Sequence, residues 1–334
     1  MDEVKSLVAD IRNRRLKPIY FLMGEEPYYI DKISDFIEHH VLEEHEREFN
    51  QVVFYGKDVT IDDITAQSKR FPMMAEFQVV IVKEAQELSR SIEKLVAYAQ
   101  QPQPSTILVL NYKYKKIDKR KALYKAVART GVVYESKKLY DNKVPEWIRR
   151  VLAGQDYAIT PKASEMLVEY LGTDLSKISN ELDKLKIVLP KGTQIKPEDI
   201  EENIGISKDY NNFELRKAVG AKNSFKAHQI ARYFAENPKD NPIVVTVSLL
   251  YGFFAQLLQL HGLHDKSPRA VSSALRINPY FVNEYISASR NYPMKKVSMV
   301  IALLHEYDIK SKGVGTRNLS HDQLLKELLV RILN

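Results

Sequence analysis

The sequence predicts a parallel α/β domain followed by an all-helical remainder. Three observations carry that prediction. Five short apolar runs recur through residues 1–142, separated by stretches of helical periodicity. The strand signal then fades from about residue 143. Beyond that point, proline next to a capping residue marks one helix start after another.

The apolar runs 19–23, 51–55, 78–82, 107–111 and 132–134 read as strands, and 2–14, 28–43, 60–70, 89–100 and 118–130 as helices between them. Asp118 is placed to cap the last of these helices. Short strands alternating with helices of this length imply a parallel sheet covered on both faces. Residues 143–206 read as a small all-helical lid domain. Thr160-Pro161 opens a helix, and Asp174 is placed to cap the next, whose Leu175, Ile178, Leu182 and Leu185 share one face. Pro190-Lys191-Gly192 ends it. Residues 207–334 read as five or six packed helices. Asn241-Pro242, Ser267-Pro268 and Asn278-Pro279 each pair a cap residue with proline in the first turn. Ser320-His321-Asp322-Gln323 is a capping box before the apolar face Leu324, Leu325, Leu328, Leu329 and Ile332.

Composition narrows the function. At 334 residues and 44% hydrophobic, the chain can bury two or three domain cores. Lys and Arg number 50 against 43 Asp and Glu, a net charge of +7, which is compatible with nucleic acid nearby and diagnostic of nothing. With no cysteine, thiol catalysis, disulfides and Cys-type zinc sites are excluded. The histidines lack metal-ligand spacing, and no G-x-S-x-G occurs, so neither a metal nor a nucleophile–base pair is expected. The N-terminal residues lack a signal-like apolar stretch, and no run of 18 consecutive apolar residues occurs. A soluble, cytoplasmic protein without a membrane span is expected.

The run Ile19-Tyr20-Phe21-Leu22-Met23-Gly24-Glu25-Glu26-Pro27 has the placement of a phosphate loop and none of its chemistry. A working loop needs G-x-x-x-x-G-K-[ST]: glycine amides to cradle phosphate, a lysine for charge and a hydroxyl for magnesium. Here Glu25 and Glu26 follow Gly24, Tyr29 replaces the second glycine and Ile30 replaces the lysine. At the end of the run 78–82, Lys83 stands where an ATPase of this architecture places a magnesium-binding aspartate, followed by Glu84. Two broken elements together point to a framework that does not bind nucleotide, and no cofactor is expected.

Phe71-Pro72-Met73-Met74 sets three large apolar residues around a proline at a helix-to-strand turn. Two readings stand: a cap on the core, or an exposed plug for a pocket on a partner. The segment 112–121 holds Lys113, Lys115, Lys116, Lys119, Arg120 and Lys121 against Asp118. A solvated helix start is the favoured reading. The alternative is phosphate contact through Lys115, Lys116, Lys119 and Arg120, with Tyr112 and Tyr114 available for stacking.

Taken together, Pro18 to Tyr28, Arg70-Phe71-Pro72-Met73-Met74-Ala75-Glu76-Phe77-Gln78-Val79-Val80, Asp118-Lys119-Arg120-Lys121, the stretch Gly172 to Leu185 and Asp308-Ile309-Lys310-Ser311-Lys312-Gly313 resemble the delta subunit of the bacterial DNA polymerase III clamp loader. The resemblance runs over essentially the whole chain. It rests on order and spacing, since none of these segments is a catalytic signature.

The resemblance implies an AAA+-type module with a degenerate P-loop at 1–142, a helical lid at 143–206 and a helical collar for oligomerisation at 207–334. It places a clamp-binding wedge at Phe71, Met73 and Met74, although the family often has leucine or phenylalanine at the last two positions. The implied partners are the beta sliding clamp, the gamma/tau ATPase subunits, the delta-prime subunit and, through the assembled complex, primer–template DNA. The implied function is to open one interface of the clamp ring. No catalytic activity is expected of the chain alone, although it would be grouped with the DNA-directed DNA polymerase, a nucleotidyltransferase. The alternatives are a delta-prime-like subunit, which usually carries zinc-binding cysteines that this chain lacks, and an independent AAA+ ATPase acting on nucleic acid.

Overall fold

The computed structural model describes residues 2–207, 209–314 and 320–334. The chain divides into two compact units, Met1–Leu139 and Tyr140–Asn334. In the first, strands β1 (Ile19–Gly24), β2 (Gln51–Tyr55), β3 (Gln78–Lys83), β4 (Thr106–Lys113) and β5 (Val132–Ser136) form one parallel sheet in the order β2-β3-β4-β1-β5. Every strand expected from the apolar runs is present. Its helices are α1 (Asp2–Arg12), α2 (Pro27–His40), α3 (Glu44–Asn50), α4 (Ile61–Ser68), α5 (Val96–Gln100) and α6 (Ala122–Thr130).

Side chains leave the central strands alternately toward two cores. Phe21, Met23, Val80, Val82 and Leu110 pack with α4 and α6 on one face. Tyr20, Leu22, Val79, Ile81 and Val109 pack with α1 and α2 on the other. Because both faces are covered, these strands read as unbroken apolar runs and not as apolar–polar alternation.

The helices depart from expectation in three places. The expected helix 89–100 is two 3-10 turns, Ala85–Leu88 and Ile92–Leu95, followed by the short α5. Ser91 Oγ donates to the Leu88 carbonyl at 3.3 Å, a local bond that competes with the helical ladder. Asp118 does not cap α6; its carboxylate accepts the Arg120 N–H at 2.9 Å in a tight turn, and the helix begins at Ala122. The sequence Glu44-His45-Glu46-Arg47-Glu48-Phe49-Asn50 has little apolar periodicity, yet it forms α3.

The second unit contains α7 (Val144–Ala153), α8 (Pro161–Leu171), α9 (Leu175–Val188), α10 (Pro197–Ile204), α11 (Asn212–Gly220), α12 (Ser224–Glu236), α13 (Ile243–Gly262), α14 (Pro268–Leu275), α15 (Val282–Asn291), α16 (Met294–Ser311) and α17 (His321–Leu333). Thr160 and Asp174 cap α8 and α9 as expected. The segment 143–206 is not all-helical. Ala158–Ile159 pairs in parallel with Gln194–Ile195, a strand pair too short to leave a periodic signal.

Beyond residue 207 the described residues form seven helices instead of five or six. Asn241 is not the cap of α13; Pro242 takes that position, and the Asn241 amide donates to the Asn237 carbonyl at 3.0 Å. By length and composition α13 could cross a membrane. Val247, Leu250, Phe253, Phe254 and Leu257 instead pack it into the helical core, together with Leu324, Leu325, Leu328, Leu329 and Ile332 of α17.

Candidate functional site

The first unit presents two candidate sites, one at each edge of its sheet. At the carboxyl edge, β1 runs into the position of the phosphate loop. Gly24 has φ +131°, and a Cβ there would lie 2.0 Å from the Ser136 carbonyl oxygen. Glycine is required by the close approach of β5, with no phosphate invoked. Three of the amides that would cradle an anion are already engaged. Gly24 N–H donates to the Lys115 carbonyl at 3.1 Å and Glu25 N–H to the Ser136 carbonyl at 2.9 Å. Tyr28 N–H donates to Glu26 Oε1 at 3.1 Å, and Pro27 has no N–H to offer. Tyr29 lies half-buried, its ring edge-on to Tyr28 with centroids 5.2 Å apart. Ile30, in the lysine position, is fully buried in the core.

Charge at this edge is neutralised from within. Lys113 Nζ, at the end of β4, lies 2.9 Å from Asp31 Oδ1 and 2.9 Å from Glu84 Oε1. A lysine ammonium therefore bridges the residue in the P-loop hydroxyl position and the acid at the end of β3. Burial works against ionised Glu84, but the Lys113 ammonium and the Gln86 amide outweigh it and hold the carboxyl below its ordinary range. Burial opposes the Lys113 charge too, and its bonds to Glu84 and Asp31 outweigh that and raise its pKa. Lys83 Nζ lies 3.1 Å from Glu38 Oε2. Among the described residues, no group of three or more His, Asp or Glu could hold a metal ion.

The basic segment is tied up in the same way. Lys116 bridges Glu25 at 3.2 Å and Glu135 at 3.1 Å, and Lys119 approaches Glu135 at 3.7 Å. Arg120 pairs with Asp118 at 2.6 Å, and Lys115 reaches Ser89 Oγ at 3.3 Å. Tyr112 is not available for stacking: it is buried and packs on Phe21 at 5.5 Å between centroids. Tyr114 is exposed.

The amino edge is the opposite case. Between α4 and β3, Phe71 is 78% exposed, Met73 62% exposed and Met74 fully exposed. The core-cap reading of this segment is therefore excluded, and three large apolar side chains project into solvent from one short loop. Behind them the loop is held by buried polar side chains. Asn50, at the end of α3, donates Nδ2 to the Met73 carbonyl at 2.9 Å and accepts the Met73 N–H at 2.6 Å. Gln78, the first residue of β3, bonds the Arg70 carbonyl, the Gln67 carbonyl at 3.3 Å and Thr106 Oγ1 at 2.8 Å. Thr106 Oγ1 in turn donates to the Ser68 carbonyl at 2.8 Å.

Three of these residues escaped the sequence reading. A glutamine opening an apolar strand is the one sequence signal for Gln78. Asn50 lies 23 residues from the backbone it holds, so nothing local marks it. Lys113 belongs by sequence to the basic run 113–121, but β4 extends to it and carries its side chain to Asp31 and Glu84.

A five-stranded parallel α/β unit with charges paired at the carboxyl edge of its sheet, followed by a largely helical second unit, defines the fold class. Comparison with known proteins gives the family. A model for the DNA polymerase III delta subunit matches residues 20–137, and a model for the C-terminal domain of that subunit matches residues 209–331. DNA polymerase III subunit delta of Bacillus subtilis (strain 168) is 25% identical over 333 residues, covering 96% of this chain and 95% of that protein. The solved structure of the Bacillus subtilis DNA clamp loader delta protein has the same fold, with a TM-score of 0.57, 23% identity and 99% of each chain covered. The chain belongs to the delta-subunit family of the DNA polymerase III clamp loader, a component of DNA replication.

Proposed function

We propose that this chain binds the beta sliding clamp through Phe71, Met73 and Met74 and holds one interface of the ring open. The observation that carries this reading is the exposure of three large apolar side chains on one loop at the amino edge of the sheet. Burying each such side chain in a pocket is worth roughly 1.5–3 kcal/mol. Three together supply about 5–8 kcal/mol before the cost of association, which is of comparable size. Opening the ring then needs no nucleotide on this subunit. It needs only that the wedge bind the open ring better than the closed one and so shift the population.

The remaining assignments follow the same reading. Residues 1–142 carry the wedge, 143–206 act as lid, and 207–334 act as the collar that joins the gamma/tau ATPase subunits and the delta-prime subunit. Primer–template DNA is met through the assembled cytoplasmic complex. Lys115, Lys116, Lys119 and Arg120 give at most weak, salt-sensitive contact, because each already has a polar or acidic partner in its own chain.

The test is binding of the purified chain to the beta clamp by titration calorimetry, with Met73→Ala combined with Met74→Ala as the variant. The double variant is expected to bind at least tenfold more weakly, about 1.4 kcal/mol, with an unchanged unfolding midpoint. Normal clamp binding by a folded double variant rejects the wedge.

A further inference from the structure

The exposed side chains lie between two buried amides, and only one of these touches the wedge backbone itself. Asn50 is 3% exposed and bonds both the N–H and the carbonyl of Met73. Its Nδ2 also reaches the Glu46 carbonyl at 3.0 Å, which ties the clasp to the last turn of α3. The next residue, Met74, has φ +53°, a left-handed conformation that a methionine keeps only where its surroundings impose it. The Met73 clasp holds the residue immediately before Met74. Gln78 holds the entry of the loop at Arg70.

From this geometry we infer that Asn50 is a positioning residue for clamp binding. It fixes the backbone at Met73 so that Phe71, Met73 and Met74 already stand in their bound arrangement before the clamp arrives. The inference rests on the clamp-binding reading above. Its physical basis is loop entropy: a loop left free must be ordered on binding, and each residue so ordered weakens the complex. Asn50 is buried behind the loop and needs no contact with the clamp to act. A buried asparagine that satisfies both backbone groups of one residue matches that role.

The experiment uses the full chain carrying Asn50→Ala. Clamp binding is measured by calorimetry, exchange of the amides in 71–77 by mass spectrometry, and assembly with the gamma/tau and delta-prime subunits by gel filtration. About tenfold weaker clamp binding is expected, with the loss in the entropy term. Exchange in the loop should be faster, and assembly should match wild type. Asn50→Asp keeps the acceptor for the Met73 N–H and loses the donor to the Met73 carbonyl, so its affinity should fall between the two. Wild-type clamp affinity in Asn50→Ala, beside weak binding by the Met73→Ala/Met74→Ala variant, overturns the inference and leaves the wedge standing. Normal binding by that wedge variant removes both. Parallel loss of clamp binding and of subunit assembly marks general unfolding and overturns the positioning role. If Asn50→Ala does not fold, wild-type affinity in a folded Asn50→Asp overturns it.

Discussion

The two edges of one sheet have opposite surfaces. At the carboxyl edge, charges are paired within the chain, with Lys113 between Asp31 and Glu84 and Lys116 between Glu25 and Glu135. At the amino edge, Phe71, Met73 and Met74 have no apolar cover. β3 joins the two, running from Gln78 beside the exposed loop to Lys83 at the carboxyl edge, about 17 Å for a strand of this length. One edge is closed on itself and the other is open. A surface that satisfies its own charges offers little to a ligand, whereas exposed apolar area on a held loop offers binding energy and a fixed shape.

The comparison can be broken most forcefully at the open edge. Phe71→Asp should weaken clamp binding at least a hundredfold, about 2.8 kcal/mol, because an unpaired carboxylate would enter an apolar pocket. Its denaturant midpoint should match wild type, since Phe71 is exposed. A smaller effect belongs to the closed edge. Lys113→Met leaves Asp31 and Glu84 facing each other without their cation and should cost about 1–2 kcal/mol of folding stability, read by urea unfolding. Clamp affinity should not change, and a parallel fall in affinity would show that the two edges are coupled.

Smaller still is the pH dependence of that bridge. The Glu84 carboxyl is held below its unfolded value of 4.5, so its contribution is fully present above that pH and lost as pH falls through the lower folded value. The Lys113 ammonium is raised above 10.5, so its share is present below that pH and lost as pH rises through the folded value. Wild type should therefore lose stability more steeply than Lys113→Met below pH 4.5 and above pH 10.5, by under about 1 kcal/mol for groups so partly exposed. The smallest expected effect is none: titration with millimolar Mg-ATP should give no binding heat. A micromolar signal would mean that the carboxyl edge opens.

The strands and the apolar loop at 71–74 were legible because both depend on local composition. Val79, Val80, Ile81 and Val82 can hardly be anything but a buried strand, and two methionines beside a proline at its entry announce themselves. The edge chemistry was only half legible. Glu25, Glu26, Tyr29 and Ile30 reveal what the loop lacks, but what replaces it depends on Lys113 meeting Asp31 from 82 residues away in the chain (113 minus 31). Asn50 has the same difficulty. An asparagine at a helix end has many uses, and only the fold brings it to Met73. The short Ala158–Ile159 and Gln194–Ile195 pair failed for another reason, since two residues carry no period.

Gly24 limits what single substitutions can do at this edge. Its backbone and that of Glu25 are stitched to Lys115 and Ser136, and the space a side chain would need at Gly24 is held by the Ser136 carbonyl. A lysine placed at Ile30 alone would put a charge in an apolar core, and rebuilding Gly24 and Glu25 as a phosphate loop would break their bonds to Lys115 and Ser136. Each such change alone is expected to lower folding stability. A phosphate loop at this edge is therefore several simultaneous substitutions away from the present sequence, and any one of them alone is met first as lost packing or lost hydrogen bonds.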